Sequence, residues 1–188
     1  MGYGSLRMKR AVEKLEPFDS DGDLNVIIET PKGYRNKFSY DEKLGLFRLK
    51  KALPEGMVFP LDFGFIPGTL GGDGDPLDVL VLNDEPAFPG CLVRARVLAI
   101  IEAEQTDQKG KRNRNDRLIA AALLEEPAAE AAPDELGKRR LHEIEQFFAA
   151  YNELEGKKFK VLRERGPKHA KQLVKQAQKA YRKKHHAN

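Results

Sequence analysis

The sequence predicts a mainly β domain, a small closed β-barrel with helices packed on it. Three observations predict it. Short apolar and β-branched segments alternate with Gly, Pro and Asp turns along most of the chain, helical-period apolar stripes are concentrated towards its end, and no internal repeat divides it. A length of 188 residues suits one domain with a sizeable core, and 40% hydrophobic with 33% charged residues is the balance of an ordinary soluble globular chain.

Residues 1–23 read as a short amphipathic helix, with Leu6, Val12 and Leu15 as its apolar positions, and then an acidic turn, Asp19-Ser-Asp-Gly-Asp23. That turn begins like a calcium loop, but Thr30 stands where the glutamate at the twelfth position is required, so a solvated turn is expected. Leu24 to Thr30 is a strand by β-branched content, stopped by Pro31. Asn36 to Tyr40 and Gly45 to Leu49 form a hairpin around Asp41-Glu-Lys-Leu44. Residues 54–78 read as one long Gly- and Pro-rich loop, and the aromatics Phe59, Phe63 and Phe65 argue that it is functional rather than disordered.

Val79 to Leu82 is a buried strand, and Cys91 to Glu104 is a long one with Val93, Ala95, Val97 and Ala99 on one face. A charged loop, Asp107 to Asp116, leads to a further strand, Arg117 to Leu124. Residues 125–133 have the composition of a linker, and Pro133-Asp134 starts a helix, with the aspartate at its positive end. Leu141, Ile144, Phe148 and Tyr151 give that helix one apolar stripe. Phe159 to Leu162 is a last short strand. Gly166-Pro167 opens a final helix with Ala170, Leu173, Val174, Ala177 and Tyr181 on its buried face. The whole, 1–188, is read as a single domain, with 1–23 and the basic helix 167–188 as its terminal segments.

Charge is unevenly spread. Lys157 to Asn188 holds 12 of the 33 basic residues and one acid, Glu164, so the first 156 residues are net acidic although the chain carries +4. A uniformly basic nucleic-acid binder is not described by this pattern, and a solvated charged face is expected for the last helix. The four histidines form no ligand set. The single Cys91, after Pro89-Gly90, excludes an internal disulfide, fits a reducing compartment and is expected to be buried and inert. No secretory segment and no run of 18 apolar residues is present, so neither export nor a membrane span is expected, and the cytoplasm is the expected location.

The chemistry concentrates at the end of the long loop. Asp73-Gly-Asp-Pro-Leu-Asp78 puts three carboxylates into a tight turn that runs into a buried strand. Carboxylates so crowded repel unless a cation lies between them. Mg²⁺ is the hard cation of choice, since it binds through one or two carboxylates while a substrate phosphate supplies further oxygens. Phosphoryl transfer needs such ions, cationic clamps and a positioned nucleophile, and a two-metal site needs more carboxylates than a structural one. Glu29, Asp107 and Asp116 are candidates for the remaining carboxylates, and Lys37, Lys50 and Arg117 for the clamps.

Asp73-Gly-Asp-Pro-Leu-Asp-Val79 matches in full the signature D-G-D-P-x-D-V, and the chain resembles the family I soluble inorganic pyrophosphatases, as a divergent bacterial-like member. The likeness extends to Val26–Pro31 and Lys37, to Phe59-Pro60, Gly64, Ile66 and Thr69-Leu70, to Pro89-Gly90, and to Phe147-Phe148 with Tyr151, covering roughly residues 24–162. The resemblance implies a closed five-stranded OB-like barrel, Mg²⁺ as cofactor with Mn²⁺ or another divalent ion as substitute, pyrophosphate as substrate and a homo-oligomer. It implies that Asp73 and Asp78 bind metal and that Asp75 takes a proton from the attacking water. Asp107 and Glu29 match further cavity carboxylates, Lys37 and Tyr151 match pyrophosphate-binding positions, and Arg117 falls where the family has a phosphate-binding lysine.

The departures lie in the phosphate-binding shell. Phe59 and Phe63 stand for two tyrosines, Ser39 for a glutamate and Asn152 for a lysine. Lys50 falls on a clamp arginine if one residue is deleted in the hairpin turn, and lysine cannot make the bidentate contact. Asn115 stands where an aspartate is expected, with Asp116 beside it as the substitute ligand. The leading expectation is Mg²⁺-dependent hydrolysis of pyrophosphate. The alternatives are a hydrolase of another phosphoanhydride, and a catalytically weak module that binds nucleic acid or another polyanion through the basic helix. Three carboxylates in an anion-repelling turn argue against the last.

Overall fold

A computed structural model describes residues 3–124 and 136–186 of the chain. Helix α1 (Tyr3–Lys14) leads to strand β1 (Leu24–Thr30), the hairpin β2 (Asn36–Asp41) and β3 (Leu46–Ala52), and then β4 (Asp62–Ile66) and β5 (Leu77–Leu82). The long β6 (Leu92–Thr106), the short β7 (Arg112–Arg114) and β8 (Arg117–Ala122) follow. Helix α2 (Lys138–Glu153), β9 (Lys158–Arg165) and helix α3 (Pro167–His186) complete the chain. The expected linker and the helix start at Pro133-Asp134 lie outside the described residues, and α2 begins after Gly137. No described helix is long and apolar enough to cross a membrane.

The fold is mainly β with few helices. Strand β1 pairs with β4, β4 with β5, β5 with β8 in parallel, β8 with β6, and β6 again with β1. Strand β6 is long enough to serve four neighbours, since its second half also pairs with β7 and β9. Strands β5 and β8 are apolar almost throughout because both of their faces are covered. Val79, Val81, Leu118 and Ala120 pack with Ala170, Val174 and Ala177 of α3. Leu80 and Ile119 pack with Leu141, Ile144, Phe148 and Tyr151 of α2, the expected stripe.

Three expectations change. The loop 54–78 contains strand β4, whose five residues are all buried. Pro60, Pro67 and Gly64 hide it in the sequence, yet Gly64 is what permits it. A side chain there would overlap the carbonyl of Ile27, its neighbour across the β1–β4 pair. The single apolar face expected along β6 breaks at a register shift between Val97 and Ala99. Val97 therefore packs towards α3 and Ala99 towards α2. Cys91 is half-buried rather than buried, and desolvation pushes its thiol up from the usual value.

The acidic turn is more than solvated. Asp19 accepts the backbone N–H groups of Asp21 and Asp23 at 3.0 and 2.9 Å, and the Arg94 guanidinium reaches Asp19, Asp21 and Asp23 at 2.7, 3.0 and 3.4 Å.

Candidate active site

The carboxylate turn is fixed before it does any chemistry. The buried Thr69 hydroxyl donates to the Ile66 carbonyl at 2.6 Å and accepts the Leu77 N–H at 3.0 Å, drawing together the ends of β4 and β5. Inside that closure the Gly71 N–H donates to the Asp75 carbonyl at 2.7 Å, and the Asp75 N–H to Asp73 Oδ1 at 3.2 Å. Gly74 sits at φ +95°, a conformation its lack of a Cβ makes easy. Asp73 and Asp75 are exposed on the turn, and Asp78 leaves it as the second residue of β5.

The turn borders a cleft of about 850 Å³. Glu29, Lys37, Lys50, Asp73, Asp75, Asp78, Asp107, Arg117 and Tyr151 all line it. Glu29 lies at a bulge, since the β1–β4 register shifts between Ile28 and Thr30. Its Oε1 accepts the Tyr40 N–H at 2.6 Å, and burial raises its pKa to about 7. Asp78 is also held above the usual carboxylate range by burial, although Arg117 and Lys37 pull it down. Burial lowers the pKa of the Lys37 ammonium, which Asp78 and Glu29 partly restore.

The cations stand on aromatic rings. Lys37 Nζ is 5.1 Å from the Phe63 ring centre and 5.3 Å from that of Tyr151. The Arg117 guanidinium lies 5.0 Å from the Phe148 ring and 6.0 Å from that of Phe63. Strands β5 and β8 align Val79 with Leu118, so Asp78 and Arg117 precede a matched pair and join in an ion pair. Arg117 is 7% exposed and also donates to Asn115 Oδ1. Of Phe59 and Phe63, the two rings expected to stand for tyrosines, only Phe63 borders the cleft, while Phe59, 1% exposed, belongs to the aromatic core behind it.

One predicted position lies outside the cleft, and another shares it with its neighbour. Asp116, expected to bind metal, does not line the cleft and faces a smaller cavity of about 380 Å³. Its Oδ1 accepts the Ala103 N–H at 3.0 Å and Arg114 Nε at 2.6 Å, so its carboxylate is used to anchor the β7–β8 connection. Asn115 takes the cleft position, donating to Gln105 and accepting from Arg117. Lys50 lines the cleft but is exposed, at a register shift where Lys37 opposes Lys51 and Phe38 opposes Leu49. Lys51 is the inward residue, its Nζ 4.1 Å from the Tyr151 ring centre and ion-paired with Glu155.

Lys51, Glu155, Lys157, Gln105 and Asn113 also line the cleft and were not singled out from the sequence. Glu155 and Lys157 sit in a turn after α2 where no periodicity marks a face, and the bulge that turns Lys51 inward leaves no compositional trace. Burial raises the Glu155 pKa, but hydrogen bonds from Lys157 and Lys51 outweigh it and hold the carboxyl at about 2. Among the described residues no three acidic, His or Cys side chains converge enough to hold an ion alone. The exposed Asp73 with Asp78 fits a cation that keeps most of its shell as water and phosphate oxygen, the habit of Mg²⁺.

An ionised Glu29 is costly to the fold at neutral pH, because its carboxyl is buried. Its folded pKa, about 7, lies above the ordinary glutamate value of 4.5. The stability this supplies is full below about 4.5 and is lost as pH rises through 7. Glu29→Gln, which keeps an acceptor for Tyr40, is expected to stabilise the metal-free protein at pH 8 by on the order of 2 kcal/mol. The gain should vanish near pH 4, as urea unfolding at the two pH values will read. An equal effect at both would assign it to packing rather than charge.

The family profile described as inorganic pyrophosphatase matches residues 26–182. The chain is 36% identical over 163 residues to an inorganic pyrophosphatase of Nostoc sp., covering 86% of this chain and 93% of the relative. It is 40% identical over 135 residues to one from Streptomyces coelicolor, covering 71% and 79%. Among solved structures, an inorganic pyrophosphatase from Neisseria gonorrhoeae superposes with a TM-score of 0.79 at 28% identity, over 90% of this chain and 98% of that one. One from Thermus thermophilus gives 0.77 at 32% identity, over 91% and 98%.

Proposed function

The chain belongs to the inorganic pyrophosphatase family, and we propose that it hydrolyses inorganic pyrophosphate to two phosphates, with Mg²⁺ held at Asp73 and Asp78 and with Asp107 and Glu29 as further carboxylates. Divalent-metal dependence goes with the family. The observation that carries the reading is the juxtaposition of the rigid carboxylate turn with Lys37 and Arg117 in one cleft. When bound, divalent cations neutralise phosphate charge and acidify water. The chain's own part is positioning and proton transfer. Water oxygen attacks one phosphorus, the bond from that phosphorus to the bridging oxygen breaks, and the bridging oxygen leaves with the second phosphate. Asp75, exposed beside Asp73, takes the proton of the attacking water. Lys37, Lys51 and Arg117 hold phosphate oxygens, and the Tyr151 hydroxyl donates to them. Mn²⁺ is the expected substitute ion.

We read the ring of pairings β1–β4–β5–β8–β6–β1 as a closed five-stranded OB-like barrel, and residues 1–188 as one domain. We also infer a cytoplasmic homo-oligomer, for which Phe88, 66% exposed, and Leu49, 58% exposed, offer apolar surface. Ser39, Asn152 and Phe63 in the cleft wall support a second reading, preference for another phosphoanhydride.

The test is phosphate release by the pure protein from pyrophosphate and from a panel of nucleoside triphosphates and tripolyphosphate, with Mg²⁺ and then with chelator. Release from pyrophosphate that chelator abolishes is the expected result. A better substrate elsewhere in the panel would favour the second reading, and no release from any would overturn both.

A further inference from the structure

We propose that Glu155 is a resident anion that competes with phosphate for Lys51 and Lys157, and so sets how readily product phosphate leaves the cleft. The inference rests on the cleft's being the site of pyrophosphate hydrolysis. Glu155 presents one oxygen to Lys51 Nζ and the other to Lys157 Nζ at 2.8 Å, bridging two ammonium groups as a phosphate would. All three residues line the cleft.

The backbone keeps the carboxylate there. The Glu155 and Lys157 N–H groups both donate to the Asn152 carbonyl, at 3.0 and 2.9 Å, and Gln108 Nε2 donates to the Glu155 carbonyl at 3.1 Å. Gly156 turns the chain at φ +68°, and a Cβ at that position would meet Gln108 Nε2 at 2.8 Å. The turn therefore fixes the backbone of Glu155 within reach of both lysines.

A phosphate entering the cleft must share these lysines with a carboxylate and bear its repulsion. That weakens ground-state binding of substrate and product alike. It lowers the risk that phosphate stays bound after the chemistry, where release limits many enzymes. Glu155→Gln keeps the shape and removes the charge, leaving both lysines free to bind anions.

The experiment is calorimetric titration of inorganic phosphate into the parent and Glu155→Gln, with KM and kcat for pyrophosphate measured in parallel. The variant should bind phosphate about tenfold more tightly, the scale of one like charge at a partly exposed site. KM should fall with it, and kcat should fall rather than rise. Weaker or unchanged phosphate binding would mean that Glu155 only positions the lysines, and would overturn the proposal. Lys157→Met in the Glu155→Gln background guards against a folding artefact. It should cost more phosphate affinity there than in the parent, where the carboxylate already occupies that lysine, and an equal or smaller cost would also overturn the proposal. A parent that binds phosphate but releases none from pyrophosphate would sink the catalytic reading and leave the competition itself intact.

Discussion

Asp75→Asn is expected to slow pyrophosphate hydrolysis by about 10²- to 10⁴-fold, the range set by loss of a positioned proton acceptor. The amide has the shape of the carboxylate, and the turn at this residue is held through its backbone, by the Gly71 N–H on the Asp75 carbonyl and the Asp75 N–H on Asp73. Because the side chain is exposed, the unfolding free energy should change by less than about 0.5 kcal/mol. Steady-state kinetics at saturating Mg²⁺ should show the loss in kcat rather than in KM. A variant within threefold of the parent would assign the proton to another acceptor, with Asp73 the nearest in sequence. A large loss of stability would make the kinetic result a folding effect.

Phe148→Ala is expected to lower stability by about 3–5 kcal/mol, the usual cost of emptying a buried aromatic site. The ring is 2% exposed and lies 5.2 Å from Phe147, 5.8 Å from Phe159 and 6.3 Å from both Phe63 and Tyr151, centre to centre. It joins α2 to β9 and to the strands beneath. It also carries Arg117, whose guanidinium lies 5.0 Å from its centre. The variant should therefore raise KM in conditions where it remains folded, since Arg117, proposed to hold phosphate, has lost its support. Urea unfolding gives the first effect and kinetics at low temperature the second. A stability loss below about 1 kcal/mol would show that the surrounding rings close the gap.

Much of the fold was legible because it is periodic. The stripe Leu141, Ile144, Phe148 and Tyr151 reads as a helix face, and Leu24 to Thr30 reads as a strand to its last residue. Strand β4 was not legible, because prolines flank it and the glycine that elsewhere marks a loop here serves a close backbone approach. The carboxylate turn was legible because its residues are neighbours in sequence. The rest of the cleft depends on strand parity, and a bulge reverses parity without changing composition. Lys50 and Lys51 are equivalent in sequence until the β2–β3 register shift turns Lys51 towards Tyr151. Asn115 and Asp116 lie between β7 and β8, where no period marks a face, and the amide rather than the carboxylate lines the cleft. Glu155 lies beyond the periodic part of its helix, so only the folded chain brings it to Lys51.

The parallel pairing of β5 with β8 has a mechanical consequence. Asp78 and Arg117 occupy equivalent places at the ends of two strands that slide along one axis, and their alignment is fixed by the Val79–Leu118 register. A slip of one residue would part Asp78 from Arg117, the two groups proposed to hold cation and phosphate. Hydrogen exchange at the amides of Val79 to Leu82 and Leu118 to Ala121 is then expected to report on the integrity of this seam without any substrate being added.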